Sequence, residues 1–167
     1  GAEKVSAVAI KVHTDLKHIA KFECDNYILN EIHKYTDRSV LACAQGAMLD
    51  CPQREQNEWT GDGLLTSEVV SMEYDSYDMF YEWMLNFKDD QKPSGHLPGI
   101  IPCRSLWPYS FANGLDWSSA IVHIPYYAYK YSGNSEIVSL MWENMVRAMG
   151  YFASRSENCL MDFGVGD

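Results

Sequence analysis

The sequence has no block of basic residues. Its 13 Lys and Arg are scattered among 23 Asp and Glu, for a formal charge of −10. Nucleic-acid binding needs clustered positive charge to displace phosphate counterions, so that class of partner is excluded. It also has no C-x-x-C pair: Cys24, Cys43, Cys51, Cys103 and Cys159 stand far apart. A zinc ribbon and a redox dithiol are therefore not expected. The odd count argues against a complete disulfide framework and for buried free thiols. No apolar run approaches the roughly 18 residues of a membrane span, so no membrane is expected as a partner. There is no signal-peptide pattern, and the sequence assigns no compartment. No exact internal repeat occurs, which weighs against a regular repeat protein. The EF-hand order of alternating acids ending in Glu is missing, and neither a metal nor any other cofactor is expected.

What is present is a folded chain. Its 167 residues are 47% hydrophobic and 13% aromatic, enough for one domain with a real core. Val5 to Leu16 alternates with period two and is rich in β-branched residues, which predicts a strand without an obvious partner in the rest of the chain. Helical patterns follow. Asp25-Asn26 offers an N-cap to a long amphipathic helix from Tyr27 to about Met48, with Ile28, Ile32, Tyr35, Val40, Cys43, Ala44 and Ala47 on its apolar face. A second helix is predicted from Leu64 to about Tyr74, and a third from Tyr77 to about Asp90 with Phe80, Met84 and Phe87 on one face. Residues 93–116 form a long loop punctuated by Pro93, Pro98, Pro102 and Pro108 and carrying Trp107, Tyr109 and Phe111. A loop of that length inside a compact domain is usually functional. A fourth helix runs from Ser118 to about Tyr131 across Pro125, with a kink expected there. Gly133-Asn134 makes a turn, and a fifth helix covers Ser135 to about Ser154. The tail from Asn158 to Asp167 reads as loop. Helical hairpins in series suggest a bundle, a solenoid or an α/α toroid.

Between the first two helices lies the segment richest in chemistry. Asp50 to Asp62 holds four carboxylates (Asp50, Glu55, Glu58 and Asp62), Arg54 and Trp59. Pro52 and Gly61 do not suit a helix interior, so the segment reads as a loop. Four carboxylates cannot all ionise close together without help, and Arg54 is expected to offset one or two. A carboxylic acid beside an apolar ring suits a glycosidase acid. Tryptophan stacks on the C–H face of a sugar, and carboxylates with Arg bind neighbouring hydroxyls. The same composition also describes a solvated loop in which Asp50 or Asp62 merely caps a helix. His33 and His123 read as core or surface histidines, and His96 as a possible substrate contact.

The order of the residues adds to this. Asp50-Cys51-Pro52-Gln53-Arg54-Glu55, followed by Trp59-Thr60-Gly61-Asp62, resembles the signature of the α-L-rhamnosidases of glycoside hydrolase family 78. The segment from Phe22 to Ile32 is similar to the start of that family's catalytic domain. Gly95-His96-Leu97-Pro98 with Ile101-Pro102 resembles a later loop, and Gly114-Leu115-Asp116-Trp117 through Ile124-Pro125-Tyr126 a later helix start. The resemblance implies an all-α fold, helical hairpins forming part of an (α/α)6 barrel, preceded by one β-strand from an adjoining β-domain. Residues 1–20 would be the end of that domain or a linker strand, and 21–167 an incomplete N-terminal portion of the barrel. It implies Glu55 as general acid, with Asp50, Arg54, Trp59, Asp62 and Trp117 lining a rhamnose subsite. The expected reaction is hydrolysis of terminal α-L-rhamnose by inversion, with a general base supplied by the remainder of the parent polypeptide. The chain alone would then be inactive. The family usually has Gly before the loop Trp, where this chain has Glu58, and a longer variant places the acid at the position of Gln56. Glu55 is the choice and Glu58 its rival. The other readings are a non-catalytic carbohydrate- or protein-binding helical module, or another α/α-toroid glycosidase.

Overall fold

The computed structural model describes residues 4–103, 108–111, 114–158 and 160–161. Helices dominate. In chain order the elements are β1 (Lys17–His18), α1 (Tyr27–Cys43), α2 (Thr60–Glu73), β2 (Tyr74–Asp75), α3 (Tyr77–Asp90), α4 (Leu115–Ser118), α5 (Ala120–Ser132), α6 (Glu136–Arg155), β3 (Ser156–Glu157) and β4 (Leu160–Met161).

α5 is the hub. It packs against α2, α3 and α6, while α3 also meets α6. Its sequence, with Ile121, Ile124, Pro125 and Ala128, buries one face completely or nearly so. α3 supplies the bulk: Phe80, Trp83, Met84 and Phe87 recur at spacings of three and four and are fully buried. Burying each such side chain is worth about 1.5–3 kcal/mol before entropy is counted. From α6, Ile137, Met141, Ala148 and Phe152 close the same core. Pro125 lies inside α5, and the helix continues past it. Gly133 ends α5 in the left-handed region at φ 74, the usual reason for glycine after a helix. Gln91, just past α3, clasps Asn144 of α6 through two hydrogen bonds of 2.8 and 2.9 Å.

Four expectations shift. The strand over Val5–Leu16 does not form. Residues 4–16 carry no regular structure, and the hydrogen-bonded strand is the two-residue β1 just beyond, paired antiparallel with β2 inside this chain. Alternation alone does not make a strand where no neighbour takes up the backbone groups. α1 starts where predicted, with the Asn26 side chain accepting from the amides of Ile28 and Leu29, but it ends at Cys43. There Gly46 (φ 82) turns the chain so that Ala44 faces Met48. α2 begins at Thr60, inside the expected loop. The tail contains a small antiparallel hairpin, β3 with β4, rather than loop alone.

α1 is also placed differently from its pattern. Ile28, Ile32 and Tyr35 are 66%, 56% and 55% exposed, and only Val40 of the helix is buried. It is tied down by polar contacts instead. His33 meets Glu73 at 3.1 Å, and Asp37 takes both the Tyr74 hydroxyl and His18. Burial and Asp37 push the Tyr74 phenol up. Cys24, Cys43, Cys51 and Cys103 are free thiols, half-buried rather than fully buried; Cys159 and Trp107 lie outside the described residues. Among the described residues no helix is long and apolar enough to cross a membrane.

Candidate functional site

The segment between α1 and α2 is fixed at both ends. Asp50 and Asn57 clasp one another: the Asp50 amide donates to the Asn57 carbonyl at 3.0 Å, and the Asn57 amide donates to Asp50 Oδ1 at 2.9 Å. Inside that clasp residues 52–55 make a turn. The Glu55 amide donates to Cys51 Sγ at 3.3 Å, and Gln56 Nε2 donates to the Pro52 carbonyl at 2.8 Å. Gln56 sits at φ 53, in the left-handed region that a non-glycine residue occupies at a cost.

From Glu58 onward the backbone runs beside the long loop. Trp59 faces Ile100 in an antiparallel bridge, the Ile101 amide donates to the Glu58 carbonyl at 3.1 Å, and both the amide and hydroxyl of Thr60 donate to the Gly99 carbonyl. Trp59 is 7% exposed and packs with Ile100, Phe111 and Trp117 in a cluster separate from the main core. Its indole N–H donates to Glu55 Oε2 at 2.9 Å.

The proposed site residues therefore divide. Glu55, Trp59 and Trp117 form one continuous set, joined through the Trp59 cluster. Asp50 and Asp62 both lie near Cys43, whose thiol is pushed up by burial and then by Asp50, Cys51 and Asp62. Asp62 belongs to the first turn of α2, where a carboxylate is favoured by the helix dipole. Arg54 is exposed and makes no side-chain ion pair among the described residues. Glu58, the rival to Glu55, is only 9% exposed, whereas Glu55 is at the surface. Gly61 is a helical residue here, not a loop breaker. A Cβ on it would lie 2.6 Å from Cε2 of Trp117, so glycine lets the indole lie flat on α2. The Trp117 Nε1 is buried and has no acceptor among the described residues.

The structure adds Asn57, Phe111 and the 99–101 backbone, none of which stood out as site residues. The Gly95-to-Pro102 motif was the available signal, since it contains the segment that pairs with 58–60. His96 does not join the set. It stacks on Tyr151 at 5.0 Å and meets Tyr109 edge-on at 5.1 Å, and burial followed by Lys92 and Arg155 pushes its pKa down. His33 stacks on Phe22, and His123 is exposed on α5, its Nδ1 at 3.0 Å from the Ser119 carbonyl. No group of three His, Cys, Asp or Glu able to hold a metal occurs among the described residues. A cleft of about 840 Å³ opens elsewhere, between Leu115, Val122, His123, Met149 and Leu160, and contains none of residues 50–62. Its lining is mostly apolar, whereas the carboxylates that suit glycoside chemistry lie in the loop.

Comparison with known proteins agrees with the helical fold. The family model described as bacterial alpha-L-rhamnosidase 6 hairpin glycosidase domain matches residues 17–167. An alpha-L-rhamnosidase of Formosa agariphila is 28% identical over 95% of this chain and 18% of its own length. Among solved structures, the alpha-L-rhamnosidase from Dictyoglumus thermophilum superimposes with a TM-score of 0.83 at 26% identity, over 91% of this chain and 17% of that one. The native rhamnosidase from Aspergillus terreus gives 0.84 at 26%, over 92% and 18%. The chain thus spans less than one fifth of the length of these relatives. With its helical hairpins, its loop between α1 and α2 and a match over residues 17–167, the chain belongs to the bacterial α-L-rhamnosidase six-hairpin glycosidase family.

Proposed function

We propose that this chain supplies the acid side of an α-L-rhamnosidase site, with Glu55 as general acid. The observation that carries the reading is the contrast between two carboxylates three residues apart. Glu55 is exposed and oriented by an indole N–H, while Glu58 is buried. A glycosidic oxygen can reach the first and not the second.

In this reading a rhamnoside sits over the loop. Glu55 protonates the leaving oxygen while water attacks the anomeric carbon from the opposite face. Inversion needs a second carboxylate roughly 6.5–9.5 Å from the acid, with room for the water between them. That base comes from outside these residues. Asp50 keeps Oδ2 for a sugar hydroxyl, since Oδ1 is taken by the Asn57 amide. Asp62 and Arg54 add an acceptor and a donor, and the Trp117 ring offers an apolar wall. Trp59 contributes little ring face of its own, because it is almost wholly covered. Membership of the family supports a terminal α-L-rhamnoside as the substrate class.

The test is a panel of aryl glycosides assayed with this chain and with the full natural reading frame that contains it. Release from the α-L-rhamnoside by the longer protein alone, with the β anomer of rhamnose formed first as seen by proton NMR, is expected. Release by this chain alone would contradict the external base, and a preference for another glycoside would contradict the substrate.

A further inference from the structure

We infer that Trp59 is a positioning residue for the acid: its indole N–H holds Oε2 of Glu55 and so assigns the transferable proton to Oε1. The inference rests on the reading of Glu55 given above and adds a specific role for the residue behind it.

The two partners are unlike in mobility. Trp59 is locked. It stands at the start of α2, bridges to Ile100, lies with its ring 5.7 Å from that of Phe111, and is flanked by the Glu58–Ile101 and Thr60–Gly99 hydrogen bonds. Glu55 is on an exposed turn, where a free Glu side chain samples many rotamers. The two are four residues apart but not on a helix. They meet because Gln56 takes a left-handed conformation that sends the chain back toward Trp59. A mobile acid is thereby held by a fixed donor.

The chemistry of the pair is directional. An indole N–H donates and cannot accept, so the oxygen it meets must present a lone pair. In a protonated carboxyl the carbonyl oxygen is the better acceptor, so a donor fixed on Oε2 favours the hydrogen on Oε1. When that proton passes to the glycosidic oxygen, the O–H bond of Glu55 breaks, and its electron pair remains on the carboxylate. The Trp59 hydrogen bond becomes charge-assisted and roughly twice as strong. An interaction that strengthens along the reaction accelerates the chemical step instead of merely tightening substrate binding. The loss on removing it belongs in kcat.

The test uses two substrates and the full natural reading frame that contains these residues. Methyl α-L-rhamnoside needs its leaving oxygen protonated; 2,4-dinitrophenyl α-L-rhamnoside does not. Trp59→Phe removes the N–H, and replacing Trp59 with β-(3-benzothienyl)alanine removes it while keeping the bicyclic ring. Both are expected to lose about 10- to 100-fold in kcat on the methyl glycoside, the scale of a misplaced catalytic group. On the dinitrophenyl glycoside the loss should stay under about threefold, because that step does not use the acid. Glu55→Gln should show the same selectivity more strongly. Equal losses on both substrates for the two Trp59 variants, beside a selective Glu55→Gln, would overturn the positioning role and leave Glu55 as the acid. A Glu55→Gln enzyme without selectivity would remove Glu55 as the acid, and the role of Trp59 with it.

Discussion

Gly61 and Gly63 lie two residues apart in α2, and each makes room for a tryptophan. A Cβ on Gly63 would come within 2.2 Å of Cη2 of Trp83, and one on Gly61 within 2.6 Å of Cε2 of Trp117. Beyond that the two regions differ. Trp83 is fully buried, and its N–H is used by the Ile101 carbonyl at 2.7 Å. Trp117 is half-buried, belongs to the small cluster around Trp59, and has no acceptor for its N–H among the described residues. The same device serves packing on one side of α2 and the candidate site on the other. Close packing of a ring on a helix is therefore no guide to its purpose; what its polar atom does is the better one.

Substitutions on the two sides should separate stability from function. Gly63→Ala drives a methyl into a ring with nowhere to go, and overpacking of this kind costs about 1–3 kcal/mol. It should appear as a clear fall in the urea midpoint at unchanged m-value. Gly61→Ala pushes on a ring with an open side. It should cost less than about 1 kcal/mol in the same titration, while weakening L-rhamnose binding measured by calorimetry on the full natural reading frame. Equal stability losses at the two glycines would erase the distinction.

The core side has a pH dependence that the site side does not need. The pKa of His96 is pushed below its ordinary 6.5, mainly by burial between Tyr109 and Tyr151. As pH falls through that value the unfolded chain takes up the proton first, so stability is present above 6.5 and lost below it. The melting temperature should fall between pH 7 and pH 5 (about one to two units around the ordinary value), and His96→Gln should flatten the slope. The smallest effect is expected at Gln56. Gln56→Gly relieves a left-handed backbone worth about 1 kcal/mol but frees the unfolded chain, so the net change should be a few tenths of a kcal/mol. The melting curve measures it.

The sequence made the helical scaffold legible where the apolar spacing was local. Phe80, Met84 and Phe87 mark α3, whose limits match the reading, and Asn26 marks the start of α1. It misled where a residue answers to a distant partner. Gly61 looks like a helix breaker, yet it and Gly63 make room in α2 for Trp117 and Trp83, respectively 56 and 20 residues further on. The exposed apolar face of α1 has a helical period, but a period does not say what covers it. In the loop, order and composition pointed to Glu55. They did not foretell its bond to Trp59, which depends on the left-handed Gln56, or the clasp between Asp50 and Asn57.

The central claim is that the loop carries the chemistry and the helices carry the stability, with Glu55 at the dividing point. Its most direct test is Glu55→Gln in the full natural reading frame, with melting temperature and rhamnoside hydrolysis measured on the same preparation. Because Glu55 is exposed, stability should stay within about 0.5 kcal/mol of wild type. Turnover of an unactivated rhamnoside should fall by about 10²- to 10⁴-fold, the range for losing a general acid. Full turnover at unchanged stability would contradict the account.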